Sequence, residues 1–170
     1  MKHFLVVVDM QTDFIDGSLG TAEAAAIVPA AAEKIRGFDG QVIATLDTHG
    51  PDYLTTSEGR KLPVEHCIKG SQGWEIVPQL AVFKAVAKAV VEKPTFGSTK
   101  LAQAVADYDE IELVGLCTDI CVISNALLLK AFWPEKDISV DASCCAGVTP
   151  KSHENALEAM KMCQIEVEQG

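Results

Sequence analysis

The chain has 170 residues, 48% hydrophobic and 22% charged, so its composition excludes a disordered protein, and its length suits a single domain over residues 1–170. A formal charge of −10 disfavours nucleic acid and anionic membranes as partners, because both bind basic surfaces. No apolar run approaches the roughly 20 residues that cross a bilayer, and Asp9 interrupts the apolar start without a signal-cleavage pattern. We therefore expect a cytoplasmic globular protein.

Short runs rich in Val and Ile alternate with segments of helical periodicity along the chain. The predicted strands are Phe4–Asp9, Gln41–Asp47, Ala89–Glu92, Ile111–Leu116, Ile138–Asp141 and Ile165–Val167. The predicted helices are Ala22–Arg36, Ser98–Ala106, Asp119–Phe132 and Pro150–Cys163, the last with Thr149 as its N-cap. Because the strands lack polar alternation, we expect parallel strands covered on both faces. The alternation predicts an α/β fold, a three-layer sandwich with right-handed crossovers.

The segment Thr48–Gln72 interrupts this alternation. It is polar and rich in Gly and Pro, and it contains two of the four histidines, His49 and His66. A connection longer than about 12–15 residues in a compact domain is usually functional. We therefore expect this segment to contribute to a binding site.

Three reactive side chains follow the carboxyl ends of predicted strands, where ligands bind in open parallel sheets. Asp9 ends the first strand, Lys93 directly follows the third, and Cys121 lies at the start of the helix after the fourth. A thiol at a helix N-terminus beside an ammonium group typically has its pKa lowered to ~3.5–7.5, which favours a nucleophilic thiolate. A neighbouring carboxylate can take the thiol proton and return it to a leaving amine. The pattern predicts nucleophilic catalysis by cysteine.

Each of these residues also has a structural explanation when taken alone. Asp9 can cap a neighbouring helix, Lys93 can be a solvated charge, and Cys121 can be a small core residue. Only their shared position at the strand ends favours the catalytic interpretation.

The second strand and the long segment offer metal ligands. Asp47 and His49 are two residues apart, so both can face one side of an extended segment, and Glu58 and His66 follow. Imidazole and carboxylate together suit Zn²⁺, Fe²⁺ or Mn²⁺. From residue types alone, hydrogen-bonded histidines and a solvated Glu58 are equally good explanations.

The six cysteines have no CxxC spacing and read as reduced, mostly buried thiols. The vicinal pair Cys144-Cys145 and the spacing of Cys117 and Cys121 leave open a thiol redox or nucleotide-binding protein on a Rossmann-like sheet. The lack of a GxGxxG motif after the first strand disfavours that alternative. The vicinal pair has no assigned chemical role.

Three segments resemble, in order, the signature motifs of isochorismatase-like cysteine hydrolases. They are Val-Val-Val-Asp-Met-Gln-Thr-Asp-Phe at 6–14, Glu-Lys-Pro-Thr-Phe-Gly-Ser at 92–98 and Gly-Leu-Cys-Thr-Asp-Ile-Cys-Val at 115–122. The resemblance implies a parallel six-stranded sheet of order 3-2-1-4-5-6 and a triad of Asp9, Lys93 and Cys121. It also implies a cis peptide between Leu116 and Cys117 that aims backbone N–H groups at an oxyanion, and a homo-oligomer.

Within this family, the metal-ligand pattern is similar to that of nicotinamidases. The resemblance implies one divalent metal, zinc above iron or manganese, held by Asp47, His49 and His66. Many nicotinamidases have another His shortly after the first, whereas this chain has Gly50-Pro51-Asp52-Tyr53, so Glu58 is the predicted fourth ligand. Three aromatic residues near the motifs are candidates for packing on a flat substrate ring: Phe14, Trp74 and Phe96. For Trp74 and Phe96, core packing is an equally good explanation.

The predicted activity is therefore metal-dependent deamidation of nicotinamide to nicotinate and ammonia through a thioester on Cys121. The alternative keeps the triad but acts without metal on another small amide, such as a ureido or carbamoyl compound. Metal content discriminates between the two. A purely structural interaction protein is disfavoured, because it would not need Asp, Lys and Cys at three strand ends.

Overall fold

A computed structural model describes residues 1–80, 83 and 87–169, apart from the side chains at 87 and 88. The strands are β1 (His3–Val8), β2 (Gln41–Asp47), β3 (Ala87–Lys93), β4 (Glu110–Leu116), β5 (Asp137–Ala146) and β6 (Glu166–Glu168). The α-helices are α1 (Thr12–Ile15), α2 (Ala22–Gly37), α3 (Ser57–Lys61), α4 (Thr99–Ala104), α5 (Ile123–Phe132) and α6 (Pro150–Met162). Short 3₁₀ turns occupy Tyr53–Thr55, Gln72–Trp74 and Pro78–Leu80, and a π-helical turn spans Thr118–Val122.

All six strands are parallel and form one sheet in the order β3-β2-β1-β4-β5-β6. This order confirms the predicted sheet. Alternate residues of the central strand β1 point to opposite faces, with Leu5 and Val7 on one side and Phe4 and Val6 on the other. Helices α1 and α2 cover the first face, and α4, α5 and α6 cover the second, as expected for a three-layer sandwich.

The prediction that every strand is covered on both faces is wrong for β3. Ala89 is exposed, and Val90 retains 49% of its accessible surface. The physical reason is position, since β3 is an edge strand that pairs only with β2 in the described sheet. Its Val-rich sequence is indistinguishable from that of a central strand.

Helix α6 begins as predicted. The Thr149 hydroxyl accepts a hydrogen bond from the Ser152 N–H at 3.0 Å, and the Ser152 hydroxyl accepts one from the Thr149 N–H at 3.1 Å, which completes a capping box around Pro150. The segment Thr48–Gln72, in contrast, contains α3, which its sequence does not predict. A helix of five residues is too short to show an apolar period.

Candidate active site and metal centre

The three reactive side chains meet at the carboxyl edge of the sheet. Asp9 directly follows β1, Lys93 is the last residue of β3, and Cys121 lies in the π-helical turn after β4. Lys93 Nζ is 2.6 Å from Asp9 Oδ2 and donates a hydrogen bond to Cys121 Sγ at 3.3 Å. Asp9 and Lys93 are completely buried, and Cys121 is 5% exposed. The structure therefore brings an acid, an ammonium and a thiol into mutual contact, away from bulk water.

Asp9 is fixed by its neighbours on β2. The Thr45 hydroxyl donates a hydrogen bond of 2.6 Å to Asp9 Oδ1, and the Asp9 N–H donates to the Thr45 carbonyl at 3.2 Å. Asp9 has a φ of 47°, in the left-handed region that aspartate tolerates better than most residues. Sequence reasoning missed Thr45, because its place beside Val8 depends on the register of the sheet, which the sequence does not show.

The prediction of a lowered thiol pKa is wrong. Burial raises the pKa of Cys121 well above its usual range, and the negative charge of Asp9 adds to this, so the ammonium of Lys93 is outweighed. Burial likewise raises the pKa of Asp9. Burial therefore favours the neutral thiol over the thiolate at this position.

The turn that carries Cys121 is shaped by tight backbone packing. The peptide bond between Leu116 and Cys117 is cis. Before it, Gly115 has a φ of 114°, and a Cβ there would lie 2.2 Å from the Val8 carbonyl oxygen, so only glycine fits.

Two side-chain contacts anchor the same turn to α6 and its preceding loop. Thr118 Oγ1 and His153 Nδ1 are 2.8 Å apart, and the Asp119 carboxylate accepts the Val148 N–H at 3.1 Å. Burial holds the pKa of His153 below its usual value, although the charges of Asp119 and Glu154 act to raise it.

The four predicted metal ligands form one cluster, with their ligand atoms within 4.8 Å of one another. His49 Nε2 lies 3.0 Å from Asp47 Oδ2 and 3.7 Å from Glu58 Oε1. His66 Nε2 lies 3.4 Å from Asp47 Oδ2 and 3.6 Å from Glu58 Oε1. For metal–ligand bonds of ~2.0–2.1 Å, tetrahedral ligand atoms stand about 3.3 Å apart, so these separations fit a four-coordinate ion.

Local structure aims each ligand at the cluster. His49 follows β2 and pairs with Ile68 in an isolated parallel bridge, while the His66 ring places Nδ1 at 2.8 Å from the Val64 carbonyl. With Nδ1 as the donor, Nε2 keeps its lone pair for a metal. Glu58 lies on α3, which packs so closely on the preceding turn that a Cβ at Gly59 would be 2.0 Å from the Tyr53 carbonyl oxygen.

The donor set suits a divalent cation. Two imidazole nitrogens and two carboxylate oxygens are ligands that zinc, iron and manganese accept. Burial acts to raise the pKa of Asp47, but hydrogen bonds from the imidazoles of His49 and His66, whose places a metal would take, and the charge of Lys93 hold it below its usual range. Among the described residues, Asp47 Oδ1 accepts no hydrogen bond, and its nearest cation is Lys93 Nζ at 3.6 Å. These four residues, Glu58 among them, fit a divalent metal.

Gln11 was missed by sequence reasoning and supports Asp47. Its side-chain amide accepts the Asp47 N–H at 2.8 Å, donates to the Asp47 carbonyl at 2.9 Å, and donates to the Trp74 carbonyl at 2.9 Å. Gln11 is completely buried. Its position in the first motif, two residues after Asp9, was the only signal in the sequence.

A cavity of about 240 Å³ connects the two clusters. Its mostly apolar wall includes Asp47, Glu58 and His66 from the candidate ligand cluster together with Cys117 and Cys121 from the turn after β4. Further lining residues, none of which the sequence singled out, are Leu19, Thr21, Leu62, Ile120 and Val148. The cavity thus brings a thiol and the candidate metal site to one space large enough for a small molecule.

Of the three aromatic residues predicted to pack on a substrate ring, two line the cavity and one does not. Phe14 and Phe96 line the cavity, and the Phe14 ring is 5.5 Å from that of His66. Trp74 does not line it. Its indole is packed against the core on the α2 face, and its Nε1–H donates to Thr48 Oγ1 at 2.9 Å, which turns the ring away from the site.

All six cysteines are free thiols, and four of them lie outside the cavity: Cys67, Cys144, Cys145 and Cys163. Cys144 and Cys145 are both buried, but they point to opposite faces of the sheet, into the α2 side and the α5–α6 side respectively. This alternation along β5 accounts for the vicinal pair as packing. No helix among residues 1–80, 83 and 87–169 is long and apolar enough to span a membrane.

Comparison with known proteins agrees with this geometry. The nicotinamidase/pyrazinamidase of Mycobacterium tuberculosis is 27% identical over 181 residues, covering 96% of each chain. The crystal structure of the pyrazinamidase of Pyrococcus horikoshii in complex with zinc superimposes with a TM-score of 0.85 at 26% identity, covering 100% of both chains. That of the nicotinamidase/pyrazinamidase of Bacillus subtilis gives a TM-score of 0.82 at 26% identity, covering 99% of this chain and 100% of the other. The Isochorismatase domain family matches residues 3–169, and the chain therefore belongs to the isochorismatase family.

Proposed function

We propose that this protein is a metal-dependent cysteine amidohydrolase that converts nicotinamide to nicotinate and ammonia, with Asp9, Lys93 and Cys121 as its catalytic residues. The observation that carries the proposal is the shared cavity, in which Cys121 and the ligand cluster face the same space of about 240 Å³. The similar nicotinamidase and pyrazinamidase proteins support an amidohydrolase acting on a small amide. A single domain over residues 1–170, working in the cytoplasm as a homo-oligomer, completes the proposal.

Asp47, His49, Glu58 and His66 would hold the divalent ion, with zinc our first choice because it accompanies the Pyrococcus horikoshii pyrazinamidase. When bound, the ion supplies a Lewis-acidic position for the ring nitrogen of the substrate, which orients the carboxamide. Phe14 and Phe96 line the wall between, where a flat ring would pack.

The acylation step uses the contacts within the triad. Cys121 Sγ attacks the carboxamide carbon while its proton passes to Asp9, because burial disfavours a free thiolate beforehand. Backbone N–H groups of the turn between Cys117 and Cys121 stabilise the oxyanion. Asp9 then gives the proton to the departing nitrogen, which leaves as ammonia, and a thioester remains on the sulfur.

In deacylation, Asp9 acts again first as base and then as acid. It takes a proton from water, the resulting hydroxide adds to the thioester carbon, and the sulfur leaves and takes that proton from Asp9, while the released acid ionises to nicotinate. Lys93 stays protonated throughout. Burial acts to lower its pKa, but the charges of Asp9 and Cys121 raise it above its usual range, so it balances whichever of the two is ionised.

The test is release of ammonia from nicotinamide by the purified, zinc-loaded protein. Cys121→Ala abolishes the release, whereas Cys163→Ala, which removes the exposed thiol after α6, leaves it unchanged. Activity that survives in Cys121→Ala refutes the mechanism. If the protein retains no stoichiometric metal after zinc loading and does not hydrolyse nicotinamide, the result favours the alternative, a metal-independent hydrolase of another amide.

A further inference from the structure

A buried asparagine joins the segment after Lys93 to the turn that carries Cys121. Asn125, in α5, is completely buried. Its Nδ2 donates to the Cys121 carbonyl at 2.8 Å and to the Phe96 carbonyl at 3.0 Å, and its Oδ1 accepts the Ser98 N–H at 2.9 Å. Two carbonyls face the nitrogen and one N–H faces the oxygen, so the partners alone fix the orientation of the amide.

These three hydrogen bonds connect the segment that follows Lys93 to the backbone of Cys121. Lys93 ends β3, and its ammonium also donates to the Thr95 carbonyl at 3.2 Å, so the ammonium and the segment from Thr95 to Ser98 are held together. That segment lies against α5, where a Cβ at Gly97 would be 3.5 Å from the Ser124 carbonyl oxygen. In the described structure, the Asn125 amide is the polar link from this segment to the Cys121 backbone.

We propose that Asn125 is a positioning residue. It sets the 3.3 Å separation of Lys93 Nζ from Cys121 Sγ and the position of Phe96 in the wall of the cavity. This inference rests on the proposed function for its meaning in catalysis. Aspartate has the same shape but would turn lone pairs toward two carbonyl oxygens, and alanine would remove all three hydrogen bonds from the interior. Either change releases the segment after Lys93 from the turn that carries Cys121.

The test measures the alkylation rate of Cys121 by iodoacetamide in the zinc-loaded protein at neutral pH, with the modified peptides resolved by mass spectrometry. The exposed Cys163 is the internal reference in every sample. Trp133→Phe is the matched control, because Trp133 Nε1 donates to the Ala102 carbonyl at 2.7 Å and so links the end of α5 to α4 away from the thiol.

We expect Asn125→Asp and Asn125→Ala to slow Cys121 alkylation about tenfold relative to Cys163, the factor that loss of one hydrogen bond to a charged group typically gives. Trp133→Phe leaves that ratio unchanged at a similar fall in melting temperature. If Asn125→Asp does not fold, Asn125→Ala decides alone. An unchanged ratio, or a faster reaction of Cys121, overturns the proposal, because the amide would then only stabilise the fold or restrict access.

The alkylation measurement does not require turnover. Wild-type protein that fails to hydrolyse nicotinamide therefore overturns the proposed function, while the Cys121 to Cys163 ratio in the Asn125 variants still decides the positioning role.

Discussion

Replacement of Lys93 by methionine tests the electrostatics of the site most directly. Methionine fills a similar volume but removes the cation that lies 2.6 Å from Asp9 and 3.6 Å from Asp47. With Asp9 and Lys93 both completely buried, no solvent replaces the lost charge. Two carboxylates are then left in the interior without their ammonium partner.

The magnitude follows from burial. Charges about 3 Å apart attract by about 5 kcal/mol at an effective dielectric constant near 20. Removal of one partner of a buried pair typically destabilises a protein by about 3–5 kcal/mol, because the remaining charge is uncompensated. We therefore expect Lys93→Met to lower the free energy of unfolding by about 3–5 kcal/mol. The double variant Asp9→Asn/Lys93→Met should recover about 2–3 kcal/mol of this loss, since it removes the stranded charge as well.

Urea unfolding followed by circular dichroism, at one fixed zinc concentration, measures these free energies. Lys69→Met is the matched control. Lys69 Nζ is also 2.6 Å from a carboxylate, that of Glu92, but these side chains are 59% and 42% exposed, so its loss should cost under about 1 kcal/mol. The reasoning is refuted if Lys93→Met is no less stable than Lys69→Met. It is also refuted if the double variant loses the sum of the Asp9→Asn and Lys93→Met effects.

Three further predictions concern the surroundings of the site. Gln11→Ala should weaken zinc binding about 10–100-fold in a chelator competition, because the amide positions Asp47; equal affinity would contradict that role. Chelation should lower the melting temperature reversibly, and His49→Ala should show almost none of this shift; an equal shift there would place the metal elsewhere. Because burial lowers the pKa of His153 in the folded protein, protonation of this histidine favours the unfolded state. The fold therefore keeps its full stability above the unfolded-state pKa of ~6.5 and loses stability as the pH falls below it. His153→Gln should therefore lose less melting temperature than wild type between about pH 7.5 and pH 5.5, and equal losses would refute this assignment.

The sequence predicts the layers and the strand ends well, because apolar runs and helical periods are local properties. It does not reveal that β3 is an edge strand, since exposure depends on which neighbours a strand acquires in the sheet. The low thiol pKa expected for Cys121 fails for a related reason. A helix terminus and a lysine are visible in the sequence, but the depth of burial that outweighs them is a property of the packed structure.

The supporting residues were the hardest to find. Thr45, Gln11 and Asn125 act through hydrogen bonds to Asp9, Asp47 and the Cys121 backbone, at sequence separations with no recognisable spacing. Glu58 was named among the candidate ligands and assigned the fourth position from a family pattern, whereas α3, which positions it, was not predicted. Trp74 shows the opposite error, since proximity to a motif in sequence does not place a ring in the cavity.

The edge position of β3 affects which part of the protein opens first at low denaturant concentration. The strand that ends in Lys93 is supported by a neighbouring strand on one side alone within the described sheet, so opening it costs less free energy than unfolding the molecule. Asp9 and Cys121, which follow the interior strands β1 and β4, would then stay in place while the Lys93 ammonium moves away with the opened edge strand. Activity should therefore decline at denaturant concentrations at which the rest of the sheet is still intact.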